Sequence, residues 1–335
     1  MSKIKFAVVG LGHIGKRHAE MVRKNEHCEL VAAIDINEEL KSFVDTEYKV
    51  PYFSSIEAFL ASGIKADVVN VCTPNGFHAI HAVKALENAC HVVVEKPMGL
   101  TKAECEQVIY KSLQAHKQVF CVMQNRYSPP SAWLKQIIDE ERLGKIFMVQ
   151  INCYWNRDER YYKKGGWKGT LDLDGGPLFT QFSHFLDIMY WVFGDIKDVN
   201  ARFNNFNHAY TPFEDSGSVS FNFINGGMGI LNYSTSMWDK NLESSMTVIG
   251  EKGSIKVGGQ YMDVVEYCHV KDYTMPTLPP CNPPNDYGQY KGSAANHHFV
   301  IENVVDTLTG KSTATTNALE GLKVVEIIER IYALK

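Results

Sequence analysis

Residues 3–35 read KIKFAVVGLGHIGKRHAEMVRKNEHCELVAAID, and the order of their parts decides the fold. An apolar run leads into Gly10-x-Gly12-x-x-Gly15, a helix-like segment follows, and a second apolar run closes on Asp35. That is the order of the first strand–helix–strand unit of a dinucleotide-binding sheet. Gly10 permits the tight turn, Gly12 lets backbone approach a pyrophosphate, and Gly15 lets the helix pack on the strand. The phosphates would lie at a helix N-terminus, where unpaired N–H groups and the dipole favour an anion. A glycine triplet alone also describes an ordinary turn. Here the strand, the helix and an acid twenty residues after Gly15 all agree on a dinucleotide. Asp35 is suited to accept hydrogen bonds from both adenosine ribose hydroxyls and would repel a 2′-phosphate. Ile36 and Asn37 supply no arginine to attract one, so NAD is expected over NADP.

Outward from this stretch, apolar runs alternate with helical patterns through residue 124. Ala66-DVVNVCTP, His91-VVVEKP and Gln118-VFCVMQN read as buried strands, with a helix from Asn75 between the first two. Thr101-KAE forms a capping box that opens a further helix to about His116. This alternation predicts a doubly wound parallel sheet. After Arg126-Tyr127-Ser128-Pro129-Pro130 the pattern changes to long strands: Lys145-IFMVQINCYWN, Ser216-GSVSFNFI, Gly229-ILNYSTSM and Ser245-MTVIG. Turn signals at Asn225-Gly226-Gly227 and Glu251-Lys252-Gly253 mark hairpins. Helices are expected over 176–191, 293–309 and 317–333, and Met275–Pro284 as a surface loop. The fold class is therefore α/β: a Rossmann domain over 1–124, then an α+β domain over 125–335 with an open, mainly antiparallel sheet for substrate binding and oligomerisation.

A chain of 335 residues is long for one core, which agrees with two domains. Apolar content of 45% and charged content of 21% describe a globular protein, and a net charge of −4 gives no case for nucleic-acid or membrane binding. No run approaches a membrane span, no secretory leader is evident, and a cytoplasmic location is expected. The eight cysteines contain no CxxC pair, and several sit in strand patterns, so buried free thiols are expected and no metal.

Three further groups carry chemistry. Lys96, in Val94-Glu95-Lys96-Pro97, follows a parallel strand at its carboxyl end, where such sheets bind ligands. Beside a nicotinamide cation it would lose its proton more easily, and a cis Lys96–Pro97 bond would fit the turn that aims it. An exposed lysine before a turn proline is the plain alternative. Thr180, His184 and Asp187 fall at spacings of four and three, on one helical face, with Gln181 beside them. His184 is either a hydrogen-bonded core residue or a neutral base for an alcohol proton. Trp155-NRDERYYKKGGWK has a local charge of +3 against the whole chain's −4. Its arginines and aromatics suit an anionic, nucleotide-linked substrate, or else a solvated loop or subunit contact.

Gly10-LGHIG, Cys72-TPNGFHA, Val94-EKPMGLT, Asp174-GGPLFTQFSHFLD and Ala318-LEGLKVVEIIERIY together resemble the glucose–fructose oxidoreductase, inositol dehydrogenase and rhizopine-catabolism family across essentially the whole chain. The resemblance implies a Rossmann domain, an open-sheet C-terminal domain, and catalysis by Lys96 and His184. Many members carry Asp where Thr180 stands; without it His184 should be less basic, or Lys96 carries more of the proton transfer. Asn125-RYSPP, Tyr154-WNRDERYY, Trp167-KG, TQFSH and Phe213-ED look most like the UDP-N-acetylglucosaminuronate 3-dehydrogenase branch, which makes a 3-keto UDP-sugar for bacterial surface polysaccharide, including lipopolysaccharide.

The resemblance thus implies a cofactor set of Gly10, Gly12, His13, Ile14, Gly15, Asp35, Thr73, Asn75, His78, Glu95, Lys96 and Gln124. The substrate set is Lys96, Arg126, Arg157, Tyr162, Trp167, Thr180, Gln181 and His184. His184 or Lys96 would take the C3 hydroxyl proton while Lys96 polarises the developing ketone. A dehydrogenase of another sugar, polyol or inositol, and a non-catalytic NAD-binding regulator, are the alternatives. A homo-oligomer, dimer or tetramer, is expected from the open sheet face.

Overall fold

The computed structural model describes residues 2–288 and 290–335. Strands β1 (Ile4–Val9), β2 (Cys28–Ile34), β3 (Tyr52–Phe53), β4 (Val68–Val71), β5 (His91–Val94) and β6 (Val119–Cys121) alternate with helices α1 (His13–Lys24), α2 (Leu40–Phe43), α3 (Ile56–Ala61), α4 (His78–Glu87) and α5 (Lys102–Ala115). Next come α6 (Pro129–Asp139), β7 (Ile146–Tyr154), α7 (Pro177–Thr180) and α8 (Ser183–Phe193). Strands β8 (Ile196–Asn204), β9 (Ser216–Phe223), β10 (Met228–Ser234), β11 (Glu243–Gly250), β12 (Gly253–Gly258) and β13 (Val264–Val270) follow. The short strands β14 (Pro284–Asp286) and β15 (Lys291–Ala294) precede α9 (His297–Leu308) and α10 (Ala318–Tyr332). These elements form two compact units: Met1–Met123 with His297–Val325, and Gln124–Asn296 with Glu326–Lys335.

In the first unit the six strands run in the order β3-β2-β1-β4-β5-β6, all parallel. Phe6, Ala7 and Val8 are 0% exposed, and every residue of β4 is buried. Strands covered on both faces read as continuous apolar runs, as these do. Each large side chain fully buried there contributes roughly 1.5–3 kcal/mol. The order reverses between β1 and β4, which opens a crevice at their carboxyl ends. The Thr101 capping box forms as expected: Thr101 Oγ1 accepts from Glu104 N–H at 3.2 Å, and Glu104 Oε2 accepts from Thr101 N–H at 3.1 Å. The unit differs from a single cut at 124/125 because α9 and the start of α10 return to it. Cys121 N–H donates to Thr316 O at 3.0 Å, which covers the β6 edge.

The second unit holds a seven-stranded sheet in the order β13-β12-β11-β7-β10-β9-β8. β7 and β10 pair in parallel and the other neighbours are antiparallel, so the sheet is mixed but mainly antiparallel. Along β9, Val219, Phe221 and Phe223 are buried while Ser218, Ser220 and Asn222 are exposed, the alternation of a sheet covered on one face. Both hairpin turns lie where expected, between β9 and β10 and between β11 and β12.

Three expected elements are corrected. The helix over 176–191 is broken: α7 ends at Thr180 and α8 starts at Ser183. Phe182, between them, is fully buried with its ring 5.7 Å from Trp155 and 5.4 Å from Tyr233. The helix expected from 293 starts at His297, because Ser293 and Ala294 lie in β15, which pairs with β14. The expected loop ends at Pro283, where β14 begins with Pro284. All eight cysteines are free; Cys72, Cys268 and Cys281 are only half-buried. Among the described residues no helix is long and apolar enough to cross a membrane.

Candidate functional site

The glycine loop is built as its sequence demands. Gly10 has φ +87°, and a Cβ there would meet Cys72 O at 2.7 Å. A Cβ on Gly15 would fall 1.7 Å from Gly10 O, so α1 can approach β1 only with glycine there. Gly12 differs: a Cβ built on it meets nothing within 4 Å. Its bareness satisfies no packing demand and leaves the N-cap of α1 open to an anion. Asp35, just past β2, accepts from Leu11 N–H at 2.6 Å and Asn37 N–H at 2.8 Å. Those bonds fix the carboxylate beside the loop and leave lone pairs for hydroxyl donors. The loop and the acid fit a dinucleotide. His13 opens α1 exposed, followed by half-buried Ile14.

The other cofactor candidates of this unit lie after β4 and β5. Thr73 Oγ1 is 3.1 Å from Nδ1 of His81, and Asn75 is buried in a 3-10 turn. Nδ1 of His78 is 2.6 Å from Pro97 O, and its Nε2 is 2.7 Å from Thr73 O. Burial pushes the His78 imidazole below its usual pKa, against the pull of those two carbonyls. The ring ties the loop after β4 to the Lys96–Pro97 turn, whose peptide bond is cis. Lys96 is half-buried. Glu95 is buried; its Oε2 accepts from Lys96 N–H at 3.2 Å, while Oε1 lies 3.0 Å from His18 Nε2 and 3.5 Å from His297 Nε2. Burial would raise this carboxyl, but His18 and His297 hold it well below the usual range.

In the second unit His184 lies in the first turn of α8, buried, with Nε2 3.5 Å from Nε2 of Gln124. The break before α8 removes Thr180 from the continuous helical face expected for it. Thr180 Oγ1 instead donates to the Asp174 carboxylate and lies 3.0 Å from Asp174 O. Asp174 also accepts from Gly169 N–H at 2.7 Å; burial raises its carboxyl and these bonds oppose the rise. Gln181 Nε2 donates to Tyr161 OH at 2.9 Å, and the Tyr161 and Tyr162 rings meet edge-on at 4.9 Å. Arg126, expected at the substrate, is instead gripped by Asp187: Nε and Nη2 donate to its two oxygens at 2.9 and 2.7 Å.

The cationic stretch 155–168 also divides. Arg157 is 3% exposed and donates to Asn156 O at 2.5 Å, Lys291 O at 3.1 Å and Asn241 Oδ1 at 3.3 Å. Its guanidinium lies 4.7–5.2 Å from the ring centres of Trp155, Tyr161 and Tyr290. Arg160 pairs with Asp158 and Asp239. Lys163 and Lys164 are exposed, and Trp167 is half-buried. Lys168 Nζ donates to Tyr290 OH at 2.6 Å. Several residues of these networks have no expected role, among them Asp174, Tyr161, His18 and His297. Asp174 heads the Gly-Gly-Pro turn and Tyr161 adjoins Tyr162, which are usable signals; the approach of His297 to Glu95 has none in the sequence.

Residues 4–123 match the oxidoreductase family with an NAD-binding Rossmann fold, and residues 132–256 match the GFO/IDH/MocA C-terminal domain. The WlbA dehydrogenase of Chromobacterium violaceum, solved with NADH and UDP-GlcNAcA, is 30% identical over 100% of this chain and 94% of its own, with a TM-score of 0.88. The WlbA dehydrogenase of Bordetella pertussis, solved with the same two molecules, is 29% identical over 99% of this chain and 96% of its own, with a TM-score of 0.86. D-glucoside 3-dehydrogenase of Escherichia coli is 27% identical over 68% of this chain and 69% of that protein. One matched domain falls in each unit, and the chain belongs to the GFO/IDH/MocA family of NAD-binding oxidoreductases.

Proposed function

We propose that the protein is an NAD-dependent dehydrogenase that oxidises the C3 hydroxyl of a UDP-linked sugar acid, UDP-N-acetylglucosaminuronate, to its 3-keto form, for surface polysaccharide synthesis. The observation that carries this reading is the likeness, over nearly the whole of each chain, to two dehydrogenases solved with NADH and UDP-GlcNAcA.

Gly10, Gly12, Gly15 and Asp35 would hold NAD, whose bound nicotinamide supplies the hydride acceptor. Lys96 and His184 are assigned the proton: one takes it from the C3 hydroxyl as the carbon gives up its hydride, and Lys96 stabilises charge on the carbonyl oxygen. Fixed orientation of the two reactants supplies much of the acceleration. Tyr162, Trp167, Thr180 and Gln181 remain candidates for the sugar nucleotide. Arg126 and Arg157, with their guanidinium groups already engaged, are better assigned to shaping the second unit than to direct contact. The sheet face bearing Met148, Gln150 and Ile249 is open, which supports the proposal of a homo-oligomer.

The E. coli relative favours one second reading, oxidation at C3 of a free glucoside. Measuring NADH formation with UDP-N-acetylglucosaminuronate, UDP-N-acetylglucosamine and free glucosides separates the two. Turnover confined to the UDP-linked acid supports the proposal, and turnover confined to free glucosides overturns it.

A further inference from the structure

We propose that His18, Glu95 and His297 form a binding site for one zinc-class metal dication inside the first unit. The three ligand atoms come from α1, the end of β5 and the first residue of α9, and all lie within 4.8 Å of one another. All three residues are buried, His18 and His297 to 1% and 2% exposure.

The spacing suits a small metal. Zinc bonds of about 2.0–2.1 Å in tetrahedral geometry set neighbouring donor atoms roughly 3.3 Å apart. Glu95 Oε1 stands 3.0 Å from His18 Nε2 and 3.5 Å from His297 Nε2, either side of that value. Two imidazoles and one carboxylate form a donor set used by zinc and by iron(II), with a further position open to water.

Hydrogen bonding accounts for His18 more fully than for His297. The His297 side chain is buried, yet its Nδ1 has no hydrogen-bond partner and its Nε2 has only the long 3.5 Å approach to Glu95 Oε1. A buried nitrogen held so weakly is costly, and a metal on Nε2 would lower that cost. His18 is prepared from its other side. Its Nδ1 is 3.0 Å from Asn70 Nδ2, and Asn70 Oδ1 has no partner. Turning the amide over would present Oδ1 to an Nδ1–H and leave the Nε2 lone pair for the metal, the usual arrangement of a metal-bound imidazole. The expectation of no metal rested on cysteine spacing, which has no bearing on these ligands. The site would fasten the returning helix α9 to α1 and to the end of β5.

The test is made on the full chain, produced in medium supplemented with zinc or with cobalt, by elemental analysis and visible spectroscopy. Close to one ion per chain is expected, with the visible bands of four-coordinate cobalt and a melting temperature lowered by chelation. His297→Ala should lower metal content at least about tenfold. Should that variant fail to fold, His297→Cys keeps a ligand and should add a thiolate-to-cobalt charge-transfer band. Wild-type protein holding far less than one zinc or cobalt, or His297→Ala retaining full metal, would overturn the site. No readout here uses activity, so the outcome is independent of the proposed reaction.

Discussion

Arg126 and Asp187 hold each other inside the second unit, joined by two hydrogen bonds at 2.9 and 2.7 Å, with both side chains 1% exposed. Removing one member takes a bidentate ion pair away from a charge that stays in the interior. Arg126→Ala is therefore expected to lower unfolding free energy by about 3–5 kcal/mol in denaturant titration. Replacing both together, Arg126→Met with Asp187→Leu, should recover most of that loss. An Arg126→Ala protein of unchanged stability and weakened substrate affinity would return Arg126 to the substrate.

The glycine loop separates packing from ligand binding. Gly15→Ala puts a Cβ 1.7 Å from Gly10 O and should cost both stability and NAD affinity. Gly12→Ala meets nothing within 4 Å, so its cost in stability should stay near or below about 1 kcal/mol. Calorimetric titration should nevertheless show NAD affinity falling at least tenfold, roughly the 1.4 kcal/mol that a blocked phosphate approach implies. Unchanged NAD affinity in Gly12→Ala would place the pyrophosphate elsewhere.

Two histidines of the first unit predict an acid limit to stability. Burial, aided by Lys84 and Lys117 respectively, pushes His81 and His91 from 6.5 down to about 4. Below 6.5 the unfolded chain takes up protons that the folded chain refuses until about 4. Stability from this source is thus complete above 6.5 and falls as pH drops toward 4. Neutral His91 Nδ1 accepts from Gln118 N–H at 3.0 Å, a bond that protonation breaks. Melting temperatures across this range should fall less steeply in His91→Gln; an identical slope would contradict the assignment.

Arg157 should behave as part of the packing. Its three acceptors and three aromatic rings match a planar fork, which lysine cannot reproduce. Both Arg157→Ala and Arg157→Lys are expected to lose about 2–4 kcal/mol of stability. A stable Arg157→Lys with only a raised KM would instead favour substrate contact.

Local chemistry made much of the first unit legible. Gly10, Gly15 and Asp35 have positions dictated by backbone sterics and a short loop, and the Thr101–Glu104 capping box depends on residues three apart. Long-range packing was not legible. Gln181 and Phe182 are ordinary helix residues, and the chain breaks there where Phe182 packs against Trp155 and Tyr233. The stretch 155–168 is a cationic island by composition, yet Arg157 is interior because Tyr290, over a hundred residues later, closes on it. The return of α9 brings His297 to Glu95, a meeting that no local pattern announces.

The proposed NAD-dependent oxidation of a UDP-linked sugar acid puts Lys96 in the chemistry. Its most direct measurement is single-turnover formation of NADH from UDP-N-acetylglucosaminuronate by NAD-loaded enzyme in excess, wild type beside Lys96→Ala, with NAD affinity measured in parallel. NADH is expected from the wild type, with a rate lower by about 10²–10⁴ in Lys96→Ala and NAD affinity largely preserved. No NADH from wild type that binds NAD tightly, or parallel loss of rate and NAD affinity in the variant, would contradict it.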